Sequence, residues 1–169
     1  MLHRFVAAAR RGTLATLDPT GLPRLVPICF VLDDPVGRSV DPDERLVLYS
    51  AIDEKPKRTA DPLHLARVRD ILARPEATVL VDRWDEDWDR LAWARLECRG
   101  EVLPPGEGDP AERERAIAAL RAKYPQYRAQ RLEGRPLIRL TCEVGAAWGD
   151  TTEQSSGAAV EREPDPEAS

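Results

Sequence analysis

The spacing of apolar residues changes period several times along the chain. Leu2, Phe5, Val6 and Ala9 recur at helical spacing, which predicts a short amphipathic helix over residues 2–10, ended by Gly12. "TLATLD" then reads as a strand and "DPTG" as a turn with Pro and Gly in their usual positions. "LPRLVPICFVLD" is its expected hairpin partner, and Pro27 inside it points to an edge position or a bulge. After a polar, proline-containing loop over 34–44, "RLVLYSAI" is a third strand. Asp61, Pro62 and Pro75 bracket a helix with Leu65, Val68 and Leu72 on its apolar face and Ile71 alongside. "ATVLVDRW" is an apolar strand. In "LAWARLECRGEVL", Ala94, Leu96, Cys98 and Gly100 alternate with Arg95, Glu97 and Arg99, as in a strand with one buried face. "DPAE" at 109–112 opens a helix to about Lys123, and "PLIRLTCEVGAAWG" is a last strand.

Most of these strands lack the helical crossover that parallel pairing needs. The order therefore predicts a mainly β, α+β architecture: an antiparallel, barrel-like sheet with helices packed outside. Periodicity vanishes after Gly149. Residues 1–149 read as one domain, and 150–169, rich in Ser, Gly, Ala, Glu and Pro, as a disordered acidic tail.

Charge sharpens the picture. The net charge is −5, but six acids and only Arg162 fall in residues 150–169, which leaves 24 acidic and 24 basic residues in the body. A balanced body gives no general attraction for nucleic acid, so any anion site must be local. No leader and no apolar run of membrane-spanning length is read, and Cys29, Cys98 and Cys142 are expected as reduced core thiols, so the expected setting is the cytoplasm.

Candidate chemistry is sparse. "GEGDPA" has dinucleotide-loop spacing, but Glu107 and Asp109 would repel a pyrophosphate and Pro110 removes a donor. "DEDWD" lacks the Gly and Glu of a calcium loop. His3 and His64 are isolated, so no metal site is read, and no nucleophile has a base nearby in sequence. Trp84 and Trp88 flank exposed acids, a costly arrangement unless a subunit or a ligand covers the rings. The strongest signal is "YSAIDEKPKR". A hydrophobic strand delivers Lys55, Lys57 and Arg58 into a turn stiffened by Pro56, and the next helix adds Arg67 and Arg69 within reach. Lys and Arg are natural phosphate partners.

Together, "RRGTLATLDPTGLPRLVPICFVLD", "LYSAIDEKPKR", "ARPEATVLVDRWDEDWDRLAWARLECRGEV" and "PLIRLTCEVGAAWGD" resemble the pyridoxamine-phosphate-oxidase-like split β-barrel proteins, in particular the branch that uses the deazaflavin coenzyme F-420. The resemblance covers nearly all of residues 1–150. It implies a six-stranded split barrel of the FMN-binding type, assembled as a homodimer with cofactor sites at the interface. It further implies that Arg24, Val26, Pro27 and Ile28 line one site, that Ser50 and Ala51 hold the ring or ribityl chain through backbone groups, and that Lys55 and Lys57, with Arg58, bind the phosphate. Trp84 and Trp88 would lie near the site or the dimer contact, with Trp148 approaching the ring. Three features depart from the pattern: Asp70 stands where this branch usually has Asn, "RLAWAR" has one Trp where relatives often show two together, and Cys29 stands where the oxidases carry Lys. The implied activity is hydride transfer between the deazaflavin and a small organic acceptor, with no side chain assigned as acid or base. FMN as the cofactor, or a non-catalytic flavin- or haem-binding module, are the alternatives.

Overall fold

A computed structural model describes residues 2–33, 45–53 and 62–151. Among the described residues, three α-helices, α1 (Leu2–Ala8), α2 (Ala66–Ala73) and α3 (Pro110–Lys123), accompany seven strands. The strands are β1 (Gly12–Leu17), β2 (Pro23–Ile28), β3 (Val31–Leu32), β4 (Leu46–Ala51), β5 (Glu76–Arg83), β6 (Ala92–Leu103) and β7 (Leu137–Gly149). They form one sheet in the order β2-β1-β5-β6-β7-β4-β3, and every recorded pair is antiparallel. This is a split barrel, with β2 and β3 at its two edges.

The count is seven strands rather than six because "LPRLVPICFVLD" is not one strand. It breaks at Cys29 and Phe30. Its first half pairs with β1 and its second with β4, at opposite ends of the sheet. The break is held by a side chain: the Tyr124 hydroxyl accepts from the Phe30 N–H at 3.0 Å and donates to the Phe30 carbonyl at 2.7 Å. A phenol thus satisfies both backbone groups that a sheet neighbour would otherwise take. Pro27 lies on an edge strand, as expected, so its missing N–H costs no ladder bond.

The alternation in β6 sets the core. Ala92, Ala94, Leu96, Cys98 and Gly100 point inward, while Arg95, Glu97, Arg99 and Glu101 face out. Leu14, Leu48, Val79, Val81, Ile138 and Leu140 complete the interior. A second apolar cluster lies on the outer face of β4, where α3 sets Ala116, Ile117 and Leu120 against Tyr49, Ala51 and Leu137. Asp109 caps α3 by accepting from the Ala111 N–H at 2.9 Å. Those residues of the Gly-rich stretch therefore start a helix.

The second helix differs from its sequence outline. Pro62–His64 is a 3₁₀ turn, and α2 begins only at Ala66 behind Leu65, which supplies no side-chain cap; Asp61 lies outside the described residues. Its buried face is Val68, Asp70 and Ile71, while Leu72 is exposed. A carboxylate sits on the buried face because it is paired there, as described below. Ile71 approaches β6 so closely that a Cβ on Gly100 would lie 3.1 Å from the Ile71 Cγ2 atom.

The expectation of three reduced thiols fails for two of them. The β6–β7 register sets Cys98 directly opposite Cys142, and the two form a disulfide; Cys29 is free. Sequence spacing alone conceals this, because only the register shows that the two thiols face each other. Residues 152–169, which hold nearly all of the expected acidic tail, lie outside the described residues.

Candidate functional site

The end of β4 is where the sheet stops being complete. The β3–β4 ladder ends with Val31 opposite Tyr49. Beyond it, Ser50 and Ala51 pair only with Ile138 and Leu137 of β7. Their other backbone edge therefore has no ladder partner among the described residues. Ser50 faces the barrel interior and Ala51 the α3 side, and both are buried. The chain leaves through Ile52, whose carbonyl accepts from Arg135 Nε at 2.8 Å, and reaches the buried Asp53. Lys55, Lys57 and Arg58 follow and lie outside the described residues.

Four polar groups from four elements are electrostatic neighbours around this exit. They are Asp53, Arg67 of α2, Tyr127 of the 3₁₀ turn Pro125–Tyr127, and Cys29 at the β2–β3 break. Burial lowers the pKa of Arg67, opposed by the charge of Asp53 and by Tyr127. Burial, the Cys29 thiol that shares a hydrogen bond with it, and Asp53 push the Tyr127 hydroxyl far above its usual range. The Nε of Arg67 is fully buried and has no hydrogen-bond acceptor. A buried donor left unpaired is costly, and a cationic one more so. The residues present thus fit an anionic group: a desolvated guanidinium Nε lacks an acceptor near the exit of β4. Arg69, two residues on, is exposed. Of the two arginines expected to reach this region, only Arg67 is turned inward. The signal was in the spacing, since Arg67 precedes Ile71 by four residues and so shares its buried stripe.

The β2 candidates do not share one face. Arg24, Val26 and Ile28 lie opposite Thr16, Leu14 and Gly12 on the interior side, and Pro27 points outward. Arg24 is engaged within the chain. Its Nη1 donates to both carboxylate oxygens of Asp70 at 2.8 and 2.7 Å, and its Nη2 lies 3.6 Å from Asp18. Thr16 also donates to Asp70, at 2.9 Å.

Trp84 and Trp88 are 73% and 75% exposed on the isolated chain. The acids between them organise the turn: Asp85 accepts from the Asp87 N–H at 3.0 Å, and Asp87 from the Asp89 N–H at 3.1 Å. Trp148 is also exposed and lies directly across from Trp93 in the β6–β7 ladder. The open groove on the outer sheet face, bounded by Ala15, Pro23, Glu76, Arg95 and Thr141, is a poorer site. Its charges are matched locally, as in Arg45–Glu143 at 2.9 Å and Arg99–Glu76 at 3.9 Å. Among the described residues no group of three His, Cys, Asp or Glu side chains could hold a metal, and no helix is long and apolar enough to cross a membrane.

This arrangement has relatives. Residues 2–149 match the family model described as pyridoxamine 5'-phosphate oxidase. The chain belongs to that family. Similar solved structures include a conserved hypothetical protein of Mycobacterium tuberculosis (17% identity, 92% of this chain and 89% of that one, TM-score 0.58). They also include an FAD-binding protein of Mesorhizobium loti (20% identity, 86% and 88%, TM-score 0.56). A third is HutZ, the heme storage protein of Vibrio cholerae (15% identity, 88% and 91%, TM-score 0.57). At these identities the likeness shows the fold alone. No curated protein matches the chain.

Proposed function

We propose that this member of the family is an oxidoreductase that binds the deazaflavin coenzyme F-420 and serves hydride transfer between it and a small organic acceptor. The observation that carries the reading is the exit of β4, where Ser50 and Ala51 have one edge with no ladder partner among the described residues and Asp53 neighbours Arg67, whose buried Nε lacks an acceptor. Lys55 and Lys57, with Arg58, would hold the phosphate arm as the sequence continues from that edge. Backbone groups of Ser50 and Ala51 would hold the ring or ribityl chain. Val26 and Ile28 would contribute the adjoining apolar wall; Pro27, on the opposite face, and Arg24, tied to Asp70, have the weaker claims to a cofactor contact. The coenzyme supplies the hydride-carrying carbon, and the chain supplies position and electrostatics.

In the same reading the protein is a homodimer with cofactor sites at the contact. A second copy, or the coenzyme, would cover Trp84 and Trp88, whose exposure is unusual for a lone soluble chain. The cytoplasm remains the proposed setting, with no role for nucleic acid or membrane. A Cys98–Cys142 bridge still intact after thiol trapping in living cells would argue against it.

FMN is the second reading, because the same cations suit its phosphate. The deazaflavin is preferred because its longer, more anionic arm makes better use of several basic residues at one exit. A non-catalytic flavin or haem module is the third, since one fold hosts many functions. The test is a spectral titration of the purified protein with coenzyme F-420, FMN and haem. Micromolar binding of the deazaflavin above the others supports the proposal; FMN or haem binding alone replaces it with the matching alternative.

A further inference from the structure

We propose that Arg67 of α2 is a direct ligand of the bound coenzyme's phosphate, a contact no lysine of the following turn can replace. This rests on the cofactor reading above and deepens it.

The argument starts from a conflict inside the chain. Arg67 is half-buried on α2, with its Nε fully buried and with Val68 and Ile71 in the core beside it. Burial opposes its charge, and its Nε has no acceptor. A guanidinium that served only the fold would be paired as Arg24 is, with both oxygens of Asp70 at 2.7 and 2.8 Å. The same helix therefore carries one side chain whose charge is answered and another whose Nε is not.

The surroundings select the missing partner. Asp53 and Tyr127 favour the charged form of Arg67, so the guanidinium is retained rather than neutralised. Tyr127 is a neutral phenol here, and the Cys29 thiol adjoins it. What is absent is an acceptor for the Nε–H of a planar guanidinium. Phosphate presents several oxygens and pairs with that group in a fixed geometry, whereas an ammonium offers only a point charge.

The test compares ligands with and without the phosphate: FMN against riboflavin, and coenzyme F-420 against its phosphate-free chromophore. The wild type is compared with Arg67→Met, Arg67→Lys and the exposed control Arg69→Met. In the wild type the phosphate should tighten binding by about tenfold or more, the worth of one charge-assisted contact. Arg67→Met should abolish most of that preference, with phosphate-free binding changed less than about twofold and the melting temperature unchanged or raised. Arg67→Lys should recover only part, and Arg69→Met all. A preference kept in Arg67→Met, or equal losses for both ligand forms together with a lowered melting temperature, would overturn the assignment. Should the wild type bind no flavin, the cofactor reading falls on its own. The melting temperature in inorganic phosphate against chloride at equal ionic strength then decides for Arg67. A rise in the wild type that is missing in Arg67→Met keeps the anion site, and no rise in either removes it.

Discussion

Arg24 and Asp70 form an ion pair, buried at its carboxylate end, that joins β2 to α2, with one guanidinium nitrogen 2.7 and 2.8 Å from the two carboxylate oxygens. Asp70 is 2% exposed, whereas the Arg24 side chain is 36% exposed. The two ends are therefore unequal. Arg24→Ala strands a buried carboxylate and should cost about 3–5 kcal/mol. Asp70→Asn keeps an acceptor for Arg24 and Thr16, removes the buried charge, and should cost about 2 kcal/mol or less. Urea unfolding of both variants checks the order; a larger loss in Asp70→Asn would contradict it.

The Cys98–Cys142 bridge closes a loop across a sequence separation of 44. Chain-entropy reasoning gives about 4 kcal/mol for a loop of that size. Reductant should lower the urea midpoint of the wild type by a matching amount and leave the Cys98→Ala, Cys142→Ala double variant unmoved. Equal midpoints with and without reductant, in protein whose mass confirms the bridge, would contradict this.

Stability should vary with pH through Lys123. Its ammonium donates to the Ala7 carbonyl at 2.8 Å and lies over the Phe30 ring, yet burial, aided by Arg10 and opposed by Cys29, pushes its pKa down to about 8. Between that value and about pH 10 the unfolded chain holds a proton that the folded chain has lost, so stability rises with pH. Above about pH 10 the sign reverses. Burial raises Tyr49, Tyr124 and Tyr127, so the unfolded chain loses those protons first. Chemical unfolding from pH 7 to 11 should show this maximum, and Lys123→Met should flatten its rising side. The same rise in the variant would exclude Lys123 as its source.

Trp84 and Trp88 should be covered in solution by a second copy. Sedimentation should give twice the chain mass, and Trp84→Glu with Trp88→Glu should weaken association by about tenfold or more for each ring. A wild type that sediments as a monomer at tens of micromolar would contradict the dimer.

Much of this fold was legible because sheet interiors write themselves in period two. Ala94, Leu96, Cys98 and Gly100 alternate with charged residues and proved to be the inward row of β6. The break at Phe30 was not legible, since Tyr124, 94 residues away, makes it. Nor was the Cys98–Cys142 pairing, which depends on register. Leu72 read as core and is exposed, while Asp70, to which no contact was assigned, is buried. Hydrophobicity alone could not foresee that Arg24 and Thr16 would satisfy a carboxylate. At the candidate site the sequence marked the strand that ends at Ala51; Lys55, Lys57 and Arg58 after it lie outside the described residues. Cys29 and Tyr127 meet near Asp53 and Arg67 only through tertiary packing, which no local pattern records.

The most direct test of the account is the dissociation constant of coenzyme F-420 for the wild type and for Lys55→Ala with Lys57→Ala, measured by fluorescence at moderate salt. Loss of two charge-assisted contacts should weaken micromolar binding by about a hundredfold and steepen no other ligand's salt dependence. Binding of equal strength in the double variant would contradict the claim that these lysines anchor the coenzyme's anionic arm.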